Sequence, residues 1–301
     1  MLITTIWPLF AAICLGAVLA RRGIPSADFW PAAEKLNYFV LFPALLISSL
    51  SRAPVSDPDL LRMGAAGATT ILIAAGVMVL LRLWTPAPPE RFGPTLQGVI
   101  RFNTYLGFAV ITRMAPSDGA TSAAVYLAIA VPLVNVLSII ALSGRARPRV
   151  LLMTVLRNPL VLGCVVGLTL ASTGIGLPFG LQNFAALLAQ GSLPLGLLCV
   201  GAALRMDGLR RDLPALLGVS ALRLIAMPAL AMAVALAFRL PADAALVLVA
   251  FSAIPTASTA YVLTRQLGGD GPYMAALITF QTLVAVVTLP LVLALWPQIS
   301  P

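Results

Sequence analysis

The stretch Ile71-Leu-Ile-Ala-Ala-Gly-Val-Met-Val-Leu-Leu81 carries no polar side chain on any face. Ala244 to Phe251 is equally apolar all round. A helix that is hydrophobic on every side is buried in a large core or lies in lipid. The rest of the chain decides between these. Apolar residues make up 60% of the 301 positions, charged residues only 10%, and the mean hydropathy is +1.01. An ordinary soluble domain is about a quarter charged. Similar apolar runs recur along the whole sequence, each near the ~20 residues that cross a ~30 Å hydrocarbon core. A transmembrane barrel would show ~10-residue segments of alternating polarity, and these runs do not alternate. The expected fold is therefore an all-α integral membrane protein. Its spans are read near 2–20, 30–50, 62–83, 94–114, 119–143, 150–171, 182–204, 212–238, 242–264 and 272–296. The connections are too short for a soluble domain.

Other classes fall away on composition. The net charge of +9 invites a nucleic-acid reading, but the arginines stand singly or in pairs at the ends of apolar runs, not as a basic face. Cys14, Cys164 and Cys199 lie inside apolar runs, show no metal spacing and read as small hydrophobes. The absence of histidine removes a Ser-His dyad and a His-ligated zinc site. No enzyme, metal or cofactor is expected. The first span is not a signal peptide by its charge, since Arg21-Arg22 follow it and nothing positive precedes it.

Arginines set the orientation. The odd-numbered connections hold Arg21, Arg22, Arg82, Arg91, Arg145, Arg147, Arg149, Arg205, Arg210, Arg211 and Arg265; the even ones hold Arg52, Arg62, Arg113 and Arg239. The odd connections are thus expected in the cytoplasm and both termini outside. The chain also matches itself. Pro8-Leu9, Gly16 and Gly23-Ile24 recur as Pro159-Leu160, Gly167 and Gly174-Ile175, and Pro43 recurs as Pro194, all at an offset of 151. Thr112-Arg113 and Asp118 meet Thr264-Arg265 and Asp270 at 152. Two five-span units, 1–143 and 150–301 joined by a linker at 144–149, must run in opposite directions because five is odd. That is the inverted-topology repeat of many secondary transporters.

In such proteins the substrate lies near the midplane, where spans are interrupted and freed backbone groups line a cavity. The fourth span carries Arg101-Phe-Asn-Thr-Tyr-Leu-Gly107 and the ninth carries Ser252-Ala-Ile-Pro-Thr-Ala-Ser-Thr-Ala-Tyr261. The offset of 152 lays Asn103 on Pro255 and Thr104 on Thr256. Pro255 removes an amide donor and pushes Ile254 out of helical geometry. Thr256 and Ser258 are candidate caps for the restart, and Asn103 with Thr104 must do both jobs in the fourth span. Two half-helix N-termini aimed at one cavity suit a carboxylate. The competing reading is a pair of ordinary kinks with Ser and Thr bonding back to the preceding turn.

Arg101-Phe-Asn-Thr-Tyr105, Pro255-Thr-Ala-Ser-Thr-Ala-Tyr261, Lys35-Leu-Asn-Tyr38 with Phe42-Pro43, and Asn158-Pro159-Leu160 resemble the auxin efflux carrier family. This family comprises plant PIN-type carriers and bacterial permeases for organic acids such as malate or malonate. The resemblance covers essentially the full chain. It implies a 5+5 inverted repeat with a scaffold of spans 1, 2, 6 and 7. Spans 3–5 and 8–10 then form a transport domain with crossed, broken helices 4 and 9, moving as an elevator. It also implies a bacterial cytoplasmic membrane location and homodimerisation through scaffold helices. Plant members have a proline in the fourth-span crossover where this chain offers Asn103 or a neighbour.

The candidate substrate residues are Asn103, Thr104, Tyr105, Pro255, Thr256 and Ser258, with Asn135 at a position where the resemblance implies a polar substrate contact. A helix–helix hydrogen bond is the alternative for Asn135, and Gln281-Thr282 is a weaker candidate. Asn37, Pro43, Ser192 and Pro194 are candidates for the scaffold side of the cavity, or for tight packing. Arg223 is the deepest ionisable residue. It either holds a substrate carboxylate bidentately or bonds backbone carbonyls. Arg101, Glu34, Lys35 and Arg157 lie near span ends, where snorkelling accounts for them. The expected activity is secondary transport of a small organic anion across the bilayer. A sodium- or proton-coupled symporter for another organic anion, or a channel, is the alternative.

Overall fold

The computed structural model describes residues 2–51, 53–54, 57–115, 118–143, 148–206, 209 and 212–299. Arg52, Arg210, Arg211 and linker residues 144–147, among them Arg145 and Arg147, lie outside the described residues.

Among the described residues the secondary structure is helical, with no strand. In chain order the helices are α1 (Leu2–Arg21), α2 (Phe29–Leu36), α3 (Phe42–Leu50), α4 (Pro58–Trp84), α5 (Pro89–Ile100) and α6 (Thr104–Met114). There follow α7 (Gly119–Ser143), α8 (Pro148–Leu156), α9 (Pro159–Thr173), α10 (Leu181–Ala202) and α11 (Leu213–Ala221). The last four are α12 (Met227–Ala237), α13 (Ala242–Ala253), α14 (Thr259–Gln266) and α15 (Gly271–Ile299). Five stretches are long and apolar enough to cross a membrane: α4, α7, α10, the α11–α12 run and α15. The chain is thus a multi-pass membrane protein. The other expected spans are each a shorter helix or two in series.

Local sequence explains the ends. Asp57 accepts from the Asp59 amide at 2.9 Å and Pro58 opens α4, a favoured N-terminal arrangement. Asn158 caps α9 by accepting from Leu160 and Val161, and Gly174 closes it at φ 67°, the left-handed position glycine tolerates. Two runs are continuous but contain a π-helical turn, Asn37–Leu41 between α2 and α3 and Leu222–Ala226 between α11 and α12. In each, a proline follows one residue after the turn, Pro43 and Pro228. A proline ring crowds the carbonyl four residues back and supplies no N–H, and a widened turn is one way a helix absorbs this.

Packing relies on small residues, since lipid offers no hydrophobic drive for helix association. α1 lies along α10, and α3 lies along α9. A methyl group on Gly16 would fall 2.0 Å from the carbonyl oxygen of Leu198. One on Gly167 would fall 2.7 Å from Leu50 Cβ and 3.3 Å from Ile47 Cα. Gly167 and Leu198 lie 151 positions after Gly16 and Ile47 respectively, so the two contacts correspond under the sequence repeat.

Contacts near the helix ends fall into two groups. Arg91 pairs with Asp212 and, at 2.8 Å, with Asp270, and lies 3.4 Å over the Tyr273 ring. The Asp270 amide donates to the Glu90 carbonyl at 2.8 Å. These join the third, seventh and ninth connections. Thr121 donates to the Ser49 carbonyl at 3.3 Å, and Ser48 and Ser51 exchange hydrogen bonds with Gln182, joining the second, fourth and sixth.

Candidate functional site

Helical geometry stops at Ile100 and restarts at Thr104, and it stops at Ala253 and restarts at Thr259. The causes differ. Ile254 is extended (φ −81°, ψ 153°), as the residue before a proline prefers. In the other segment Arg101 (φ −86°, ψ 143°) and Asn103 (φ −77°, ψ 101°) are extended without a proline. There the Asn103 carboxamide oxygen accepts from the Leu106 amide at 3.1 Å and caps α6. The two interruptions touch, with the Asn103 amide donating to the Pro255 carbonyl at 2.9 Å. A methyl group on Gly107 would fall 2.4 Å from the Phe251 ring, so this glycine permits the approach of α6 to α13. Beneath lies an aromatic group in which Phe251 stacks on Tyr126 (4.7 Å between centroids, 23°) and meets Phe102 edge-on at 5.5 Å.

A polar network holds the interruptions. From α15, Gln281 accepts from the Thr256 amide (3.0 Å) and hydroxyl (2.7 Å) and donates to the Gly98 carbonyl at 2.9 Å. The Thr256 hydroxyl is also 3.1 Å from Gly98 O, so its single proton has two acceptors. Gln97 donates to Thr264 at 2.9 Å. Arg223, wholly buried, donates from Nε to Ile254 O (2.8 Å), from Nη1 to Val99 O (3.0 Å) and from Nη2 to Phe251 O (2.7 Å).

Two cavities border the crossing, both lined by Arg101 and Thr259. A small one of ≈30 Å³ is lined by Thr104, Tyr105, Asn135, Asn158, Thr259, Ala257, Tyr38 and Arg101, among others. That is about one water's share of liquid volume. It shares Tyr38, Arg101, Asn135, Asn158 and Thr259 with an open cavity of ≈1130 Å³. The larger space is also lined by Glu34, Lys35, Phe39, Arg149, Arg157, Pro159 and Val262. Four cations and one carboxylate give it a positive balance. The first turn of α14 reaches it through Thr259, and the first turn of α6 reaches the small cavity through Thr104 and Tyr105, adding the partial positive charge of two helix N-termini. Two buried polar atoms beside the small cavity have no partner, Asn103 Nδ2 and Tyr105 Oη.

The sequence-derived candidates divide on this geometry. Thr104, Tyr105 and Asn135 line a cavity. Asn103 sits behind its cap with a free amide nitrogen. Pro255 and Thr256 are buried among the half-helix ends and line neither cavity. Ser258 does not cap α14; its hydroxyl donates to Glu34 at 3.0 Å. Of the two readings of Arg223, the structure takes the backbone-carbonyl one and not the substrate ligand, because its three nitrogens bond carbonyls and none of its surface is exposed. The scaffold candidates are displaced too. Asn37 and Ser192 form a buried reciprocal pair at 2.8 and 3.0 Å, and Pro43 packs on Gly163. Pro194 is exposed. The cavity instead takes Glu34, Lys35 and Tyr38, which flank Asn37 in sequence, and Asn158 from the α8–α9 break. Nothing in the position of Glu34, Lys35, Arg101 or Arg157 along the sequence separates a cavity-lining charge from a snorkelling one.

Long apolar helices around interrupted ones, with a charged cavity at the interruption, fit a membrane transport protein. A family model of that description matches residues 143–293. The chain belongs to this family, that of the auxin efflux carriers. No curated protein matches the chain.

Proposed function

We propose that this chain is a secondary transporter that carries a small organic anion, a mono- or dicarboxylate, across the cytoplasmic membrane. The observation that carries this reading is the Asn103–Pro255 contact, where α6 and α14 restart beside a cavity lined by Lys35, Arg101, Arg149 and Arg157 against Glu34 alone. A carboxylate docking at two helix N-termini is the expected ligand chemistry. Thr104, Tyr105, Asn135, Thr259 and the Asn103 amide form the inner site, and Arg101 with Arg157 forms the approach.

The architecture read here is ten spans in two inverted units, 1–143 and 150–301, with broken spans 4 and 9 crossing. The correspondence of Gly16–Leu198 with Gly167–Ile47 supports it. So does the sorting of odd connections around Arg91 and even ones around Gln182. Spans 1, 2, 6 and 7 form the scaffold, and 3–5 with 8–10 form a moving domain held together by Gln281 and Arg223. The cavity opens beside Lys35, Arg149, Arg157 and Gln266, next to the arginine-rich connections, so it faces the cytoplasm and both termini lie outside.

Purified protein in liposomes tests the reading with a panel of mono- and dicarboxylates under an imposed potential, pH gradient or Na⁺ gradient. Saturable uptake with counterflow is expected. Conductance without exchange would make the chain a channel and overturn it.

A further inference from the structure

We propose that Arg223 is a resident counter-cation that occupies the seat a coupling metal ion would take, so that anion movement by this chain requires no bound Na⁺. This rests on the transport reading above. α5 and α13 end at the crossing, and each presents carbonyls that have no partner further along its own helix. Each end also carries roughly half a negative charge. Carbonyl groups at half-helix ends are what coordinates Na⁺ in transporters built on interrupted helices. Here one guanidinium takes them. Val99 O belongs to the last turn of α5, Phe251 O to the last turn of α13, and Ile254 O to its cap.

Two neighbouring carbonyls of α5 are also covered. Gly98 O accepts from Gln281 and Gln97 O from the Arg101 amide at 2.9 Å. All of the acceptors of Arg223 are backbone oxygens; it is not neutralised by a carboxylate partner but by the two helix ends together. A full positive charge against two half charges balances without a further ion. The seat is wholly buried, and neither Arg223 nor Val99, Phe251 or Ile254 lines either cavity. The fixed cation and the space left for the anion are therefore separate. Arg223 also has no counterpart in the first unit, where positions 151 and 152 residues earlier are Leu72 and Ile71. A single cation serves both ends.

Ion replacement and chemical rescue test this. A Na⁺-coupled carrier would change its anion affinity by about five- to 150-fold on removal of Na⁺. Wild-type uptake in liposomes is expected to stay within about twofold when Na⁺ is replaced by K⁺ or N-methylglucamine. Arg223→Ala should lower uptake by at least about tenfold, and millimolar guanidinium should restore part of it where equal Na⁺ does not. In detergent, the same guanidinium should raise the unfolding temperature of Arg223→Ala while leaving that of the wild type unchanged or lower. Arg223→Lys should retain part of the uptake without rescue.

Anion uptake that depends on Na⁺ in the wild type overturns the inference while leaving the transport reading intact. So does an Arg223→Ala protein that transports normally, or one that guanidinium neither stabilises nor reactivates. Should Arg223→Ala fail to insert, the wild-type ion replacement and Arg223→Lys decide. Absence of any anion uptake by the wild type would instead sink the transport reading, and the thermal measurement would then decide whether Arg223 fills a cation seat.

Discussion

Replacing Gln281 with leucine removes the one side chain that ties both interruptions to α15. Leucine has similar bulk, so the packing change is small and the polar loss dominates. Three hydrogen bonds go, two into Gln281 Oε1 from Thr256 and one from Nε2 to Gly98 O. Gly98 O stays covered, because the Thr256 hydroxyl 3.1 Å away turns to it. The Thr256 amide has no such recourse. Inter-helix hydrogen bonds in membranes average about 0.6 kcal/mol, and an orphaned buried donor adds about 1–3 kcal/mol. The sum is about 2–4 kcal/mol, or about 3–6 °C in unfolding temperature for a chain of this size. Thr256→Val alone leaves both Gly98 O and Gln281 Oε1 with a donor and should cost at most about 1 kcal/mol. In the Gln281→Leu background the same change also exposes Gly98 O as unpaired. The double variant should therefore lose about 1 kcal/mol more than the sum of the singles. Thermal unfolding of the four purified proteins in one detergent measures the cycle, and uptake reads the consequence for transport. A Gln281→Leu protein unfolding within a degree or so of wild type, or strictly additive singles, would refute the network as what holds the crossing.

Three further outcomes follow from the geometry. Asn103→Ser keeps the cap on Leu106 and should insert and transport weakly, whereas Asn103→Asp keeps the cap but adds an anion between two helix N-termini; uptake assays should find the aspartate variant inactive although stably folded. Gly16→Ala drives a methyl against the Leu198 carbonyl, backbone that cannot turn aside, and should destabilise by several kcal/mol; Gly167→Ala, against the Leu50 side chain, should cost less, as thermal unfolding will read. Replacing both Arg101 and Arg157 with Gln takes two charges from the cavity and should weaken dicarboxylate uptake more than monocarboxylate uptake, seen in competition assays.

The all-helical membrane fold was plain in the sequence because the solvent is the bilayer and length and polarity decide what can cross it. The interruption at Ile254 was legible because Pro255 acts locally on the residue before it. Asn103 was legible as a cap for the same reason. The orientation of Arg223 was not: depth along a span is a matter of counting, but what a buried guanidinium touches depends on the ends of α5 and α13, over a hundred and about thirty residues away respectively. Ser258 resembles a cap in sequence, yet Glu34 from another span competes for its hydroxyl. The cavity charges were misread by the same limit. Lys35, Arg101 and Arg157 sit near span ends, and only tertiary packing leaves an open volume rather than headgroups beside them.

The widened turn in the second span lets one helix serve two environments in sequence. Glu34, Tyr38, Phe42, Leu46 and Leu50 are spaced by four, and in a regular α-helix such a row veers by about 40° per step, or about 160° end to end. One residue taken up by the π-helical turn recovers about 100° of that. The row stays on one side, its first two members bordering the cavity and its last three fully enclosed. Val219, Arg223, Met227, Ala231 and Ala235 do the same across the turn at Leu222–Ala226, all buried. Without that realignment Arg223 and Ala235 would look out on different sides of their helix, and the guanidinium could reach its carbonyls only if the lower half of the helix turned its packing face to lipid.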